Sequence, residues 1–141
     1  MAQLLHPHPQ VPAPPVRVLA SVETTAHGLA IRYRLEGELA LIRVPAPQPA
    51  AARDELWMHT CLELFVGDAA SARYREFNFS PSGEWAAYDF RGYRERDSVD
   101  HAVTRIATRL SRNGDKLVAC LDDLRRNEPA IEQGFEALLS D

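Results

Sequence analysis

The sequence predicts an all-β fold: an antiparallel β-sandwich with a short C-terminal helix or tail. Three observations carry this prediction. Apolar and polar residues alternate with period 2 in about eight short runs. Turn residues punctuate the runs, among them Gly28, Gly37, Ser80-Pro81-Ser82-Gly83 and Asn113-Gly114. No amphipathic helical segment separates one run from the next until residue 123, so successive strands pair antiparallel rather than through crossovers.

In chain order, residues 1–15 hold five prolines, Pro7, Pro9, Pro12, Pro14 and Pro15. Proline donates no ladder hydrogen bond, so this segment reads as a loose arm, with His6 and His8 as solvated polar groups. Residues 16–122 read as the sandwich. Val16, Val18, Ala20 and Val22 alternate with polar neighbours, and Leu29, Ile31, Tyr33 and Leu35 do so more cleanly. Residues 38–44 continue as a third short strand. Residues 45–55 are a Pro- and Ala-rich connection, with room for one helical turn at residues 50–53. Residues 60–66 (TCLELFV) are apolar on both sides of the pleat, the signature of a central strand covered on both faces. Residues 103–110 alternate again, Asn113-Gly114 signals a type I′ turn, and residues 116–121 return as a strand. Residues 123–141 form the tail, where Ile131, Phe135 and Leu138-Leu139 have helical spacing.

The most informative stretch is residues 74–93. It holds Tyr74, Phe77, Phe79, Trp85, Tyr88, Phe90 and Tyr93, seven of the chain's eleven aromatics (2 Trp, 4 Tyr and 5 Phe). Two alternating aromatic runs around a Ser-Pro-Ser-Gly turn predict a hairpin. The pleat puts Tyr74, Glu76 and Asn78 on one face and Arg75, Phe77 and Phe79 on the other. Such a hairpin fills a sandwich core or builds a flat platform for a ligand.

Composition bounds the function. The net charge of −4 gives no global field favouring nucleic acid or an anionic membrane. No run reaches the roughly 18 apolar residues of a membrane span, and the N-terminus lacks the basic and apolar regions of a signal peptide. The expectation is a cytoplasmic protein without a membrane partner. Cys61 and Cys120 each lie in an apolar run and read as buried free thiols. No Ser/His/Asp or Cys/His constellation, phosphate loop or zinc motif is present, so the expectation is a non-catalytic protein with no cofactor. Met58 and His59 are haem-ligand types, but neighbours on one strand point to opposite faces and cannot share an iron.

Candidate binding residues follow from chemistry. Glu63 is a carboxylate in an otherwise apolar strand, either paired for structural reasons or facing a groove where it accepts hydrogen bonds from hydroxyls. Trp57 lies where the connection meets that strand, either at the edge of the core or as a stacking platform. Asn78 and Glu76 set fixed polar groups beside the hairpin rings, the combination a sugar ring needs: stacking for its C–H face and hydrogen bonds for its hydroxyls. Arg91, Arg94 and Arg96 either bind hydroxyls, carboxylates or phosphates or form local ion pairs in a solvated loop.

The segments LWMHTCLELFVGD and YREFNFSPSGEWAAYDFRGYR resemble the bacterial DOMON-like proteins, relatives of family 9 carbohydrate-binding modules. The resemblance spans residues 16–121 and is most specific over residues 56–94. It implies an immunoglobulin-like or jelly-roll sandwich that binds a mono- or oligosaccharide, with Trp57 stacking on the sugar and Glu63 bonding its hydroxyls. The family's second aromatic, from the C-terminal third of the domain, has no tryptophan counterpart here after Trp85; Trp85 or Tyr93 would take its place. A curtailed sandwich would leave an exposed edge, which suggests two alternatives: a structural or interaction domain, and an edge-strand homodimer. Haem binding, known among DOMON relatives, is a more remote one.

Overall fold

A computed structural model describes residues 1–25, 28–68, 70–97, 107–125 and 131–138. Its strands are β1 (Gln3–Leu5), β2 (Val16–Thr24), β3 (Gly28–Gly37), β4 (Cys61–Asp68), β5 (Tyr74–Phe79), β6 (Trp85–Gly92), β7 (Glu95–Arg96), β8 (Ala107–Asn113), β9 (Lys116–Arg125) and β10 (Ile131–Leu138). They form two five-stranded antiparallel sheets, ordered β1-β2-β3-β9-β8 and β10-β4-β5-β6-β7. The expected all-β sandwich is the fold found.

The core lies between the sheets and follows the alternation in the sequence. β3 sends Leu29, Ile31, Tyr33 and Leu35 inward, and β2 adds Val18 and Ala20. The second sheet answers with Leu62, Leu64 and Val66 from β4, Phe77 and Phe79 from β5, and Trp85 from β6. The hairpin pairs Phe79 with Trp85, so its bulkiest rings share the inner face. Phe77 and Phe79 lie parallel, 6.3 Å apart between centroids. Buried Tyr33 ties the layers together by donating its hydroxyl to the backbone carbonyl of Glu63 at 2.6 Å.

Several expectations are corrected. The helical spacing of Ile131, Phe135 and Leu138 does not produce a helix: residues 131–138 are β10, paired with β4 from Ile131↔Asp68 to Leu138↔Cys61. The free edge of β4 offers a row of backbone donors and acceptors, and pairing with it outweighs a weak helical preference further weakened by Gly134. This segment therefore extends the second sheet instead of leaving β4 as an exposed edge. Residues 38–44 are not a strand either. Gly37, at φ 127°, redirects the chain into a 3-10 turn at Leu39–Leu41, and Leu39 and Ile42 are buried. A side chain at Gly37 would put its Cβ 2.4 Å from the Pro15 carbonyl oxygen, so glycine is required there. The N-terminal arm is partly ordered by β1, which pairs with β2. Residues 50–53 form no helical turn; Ala52 bridges to Trp85.

The β8–β9 turn lies one residue later than expected. Asn113 pairs with Lys116, Gly114 has φ 58°, and Asp115 does not share the positive φ that a type I′ turn needs at both central positions. Of the strand expected at residues 103–110, residues 103–106 lie outside the described residues. Cys61 is a buried free thiol, and the two cysteines fall in different sheets, on β4 and β9.

Candidate functional site

The connection from β3 to β4 shapes the end of the second sheet. It runs along the free edge of β6: the Trp85 N–H donates to the Ala51 carbonyl, the Arg53 N–H donates to the Trp85 carbonyl, and the Gln48 N–H donates to the Ser82 carbonyl. It then turns through Glu55, which adopts a left-handed φ of 62°, into a 3-10 turn at Leu56–Met58. Leu56 is buried against Cys61 and Ala86, with Tyr88 packed beside them. The connection thus covers one end of the sheet's outer face.

Beneath that cover lie two of the expected site residues. Glu63 and Asn78 pair across β4 and β5, with Ala86 next in the row. Glu63 is 4% exposed and Asn78 is fully buried, so neither faces an open groove. Neither the amide nitrogen nor the amide oxygen of Asn78 has a hydrogen-bond partner among the described residues. Trp85 is on the opposite, core-facing side. Arg91 is exposed near the far end of β6. Trp57 is 49% exposed on the 3-10 turn. Glu63, Asn78, Trp85, Arg91 and Trp57 therefore do not converge on one surface.

A cleft of about 500 Å³ lies instead at the end of the sandwich, between the connection and the β5–β6 turn. Its walls include Arg43, Arg53, Asp54, Glu55, Met58, His59, Ser80, Ser82 and Glu84, and none of Trp57, Glu63, Asn78, Trp85 and Arg91. Trp57 does not line it, although it lies on the turn whose other two residues, Leu56 and Met58, do. Met58 and His59 both face this space because the chain there is a 3-10 turn and not a strand, so the opposite-faces argument does not describe them.

Local chemistry holds the walls in place. The β5–β6 turn closes through the Gly83 N–H to the Ser80 carbonyl and the Ser80 N–H to the Glu84 carbonyl. The Ser82 hydroxyl lies 2.8 Å from the Ser80 hydroxyl and 2.9 Å from Glu84 Oε1. The Arg53 guanidinium donates to Glu84 at 3.0 Å and, with the Ser82 hydroxyl, holds that carboxyl below its usual range. On the outer side, the Tyr88 hydroxyl donates to the Asp54 carboxylate. That bond, joined by the Glu55 N–H and the nearby Arg96 charge, keeps the Asp54 carboxyl low. Burial first, then the Asp54 contact, pushes the Tyr88 phenol up to about 12. The Arg96 guanidinium stacks over the Tyr88 ring at 4.1 Å.

The cleft residues are not legible as a group in the sequence because they lie in two segments far apart in the chain. The available signal was local: a run of charged residues, Arg53-Asp54-Glu55, at the end of a long connection, and long connections often carry function.

Among the described residues no three His, Cys, Asp or Glu side chains group as metal ligands, and no helix is long and apolar enough to cross a membrane. The fold defines an all-β, two-sheet antiparallel protein. The chain matches no family model, no curated protein and no solved structure.

Proposed function

We propose that this protein is a non-catalytic binding module for a small polyhydroxylated ligand of the carbohydrate class, held in the cleft at the end of the sandwich. The observation that carries the reading is a cleft walled by hydroxyl, carboxylate, guanidinium and imidazole groups, with a half-exposed indole, Trp57, on the turn that supplies part of its lining. An exposed ring offers a flat apolar face to sugar C–H groups, and fixed polar side chains meet the hydroxyls. The likeness to DOMON-like proteins and family 9 modules points to the same ligand class. The hydrogen-bonding role passes from buried Glu63 to the cleft residues.

Trp fluorescence during titration with mono- and disaccharides tests the reading. Of the two tryptophans only Trp57 is exposed, so a ligand-dependent change should vanish in Trp57→Ala while the Trp85 signal persists. No response at millimolar sugar, identical in wild type and Trp57→Ala, counts against it.

A protein-interaction surface is the second reading. It is favoured by the exposure of Trp57 and Met58, two large apolar residues adjacent in the chain, since exposed apolar surface marks partner sites when it is contiguous. Light scattering across a concentration series, compared with the Trp57→Ala variant, tests self-association through that turn; a concentration-independent monomer counts against it.

A further inference from the structure

We infer that the cleft's ligand is an acidic sugar whose single carboxylate is held by Arg43; this rests on the carbohydrate reading above. The cleft's charges are mostly committed to one another. Arg53 and Glu84 form an ion pair at 3.0 Å. Asp54 accepts the Tyr88 hydroxyl and lies under the influence of Arg96. Arg43 and Glu55 remain, and neither has an ion-pair or side-chain hydrogen-bond partner among the described residues.

Both side chains are exposed, on backbone that is fixed at each position. Arg43 follows buried Ile42, which anchors the chain directly after the Leu39–Leu41 turn. Glu55 holds a left-handed φ of 62°, a conformation that residues with a side chain rarely adopt and that tends to persist where function requires it.

The ligand that complements these groups carries one anionic group and several hydroxyls on a small frame. A guanidinium meets a carboxylate through two parallel hydrogen bonds. An ionised Glu55 only accepts, so it selects hydroxyl donors. A neutral sugar would leave the exposed Arg43 guanidinium with water as its only partner and gain no charge-assisted bond from it. A dianion such as a sugar phosphate would face a wall that holds two arginines against three carboxylates. A uronic acid, with a single negative charge, satisfies both constraints.

The test compares methyl glucuronide, methyl glucoside and glucose 6-phosphate by Trp fluorescence on the full chain, in wild type, Arg43→Gln and Trp57→Ala. The expected result is about tenfold tighter binding of the glucuronide than of the glucoside, the size of one good charge-assisted contact. Arg43→Gln should abolish that preference, bringing glucuronide and glucoside to equal affinity, and Trp57→Ala should abolish the response to both. Equal affinity for glucuronide and glucoside, still dependent on Trp57, overturns the acidic-sugar assignment and leaves the carbohydrate reading standing. A preference that survives Arg43→Gln, or tighter binding of the phosphate, overturns the role given to Arg43. No response to any of the three overturns both readings.

Discussion

Trp85 and Trp57 lie on either side of the same junction between the β3–β4 connection and the second sheet, yet their surroundings are opposite. Trp85 is 7% exposed: its strand pairs with β5 on one side and its backbone bonds to the connection on the other, so its ring is committed to the core. Trp57 belongs to a three-residue 3-10 turn whose anchor is Leu56, so its ring is left half in solvent. The contrast shows that the element carrying a large apolar side chain, more than its residue type, decides whether it stabilises the fold or is available to a ligand.

The contrast can be broken or sharpened experimentally, and the largest effect is expected in the core. Phe79→Ala, which removes the fully buried partner of Trp85, should destabilise the fold by about 3–5 kcal/mol in chemical denaturation. Trp57→Ala should change stability by no more than about 0.5 kcal/mol in the same assay. Comparable losses in the two variants would erase the distinction.

Asn78 is the next largest expectation. Its amide is buried without a partner among the described residues, so Asn78→Leu, close in volume, should stabilise the protein by about 1–2 kcal/mol. A lower midpoint in the variant would mean that a bound water or another group satisfies the amide.

Tyr33→Phe removes the 2.6 Å bond between the sheets and should lower stability by about 1 kcal/mol, read from the same denaturation curves.

The smallest effect belongs to the exposed contact holding the connection. The Asp54 carboxyl is held below its unfolded-state value, chiefly by the Tyr88 hydroxyl. Its contribution is therefore present above the unfolded carboxylate pKa and lost as pH falls through the lower folded value. The contact is exposed, so Tyr88→Phe should narrow the stability difference between neutral and strongly acidic pH by on the order of a few tenths of a kcal/mol. A pH profile of unfolding midpoints superimposable on wild type would show that this contact does not latch the connection.

Much of the fold was legible in local pattern because burial of one sheet face imposes period 2. Leu29, Ile31, Tyr33 and Leu35 read as an inward row and are one. TCLELFV reads as a strand covered on both faces, and Leu62, Leu64, Cys61 and Glu63 are buried on the two sides of β4. The pattern fails where a distant partner decides. Ile131, Phe135 and Leu138 fit a helix equally well until the open edge of β4 is known, and Gly37 signals a turn without showing that residues 38–44 leave the sheet after it.

By itself the sequence determined the two-layer architecture, the aromatic hairpin and the inward-facing rows, since alternation and turn chemistry act between near neighbours. Only the tertiary structure decided that Glu63 and Asn78 are covered, that Trp57 stays exposed, and that Arg43, Glu55 and the Ser-Pro-Ser-Gly turn share a cleft. The physical reason is that exposure depends on which segment folds over which face. Here the β3–β4 connection sets it, by spending its hydrogen bonds on the edge of β6 and its Leu56 on Cys61 and Ala86.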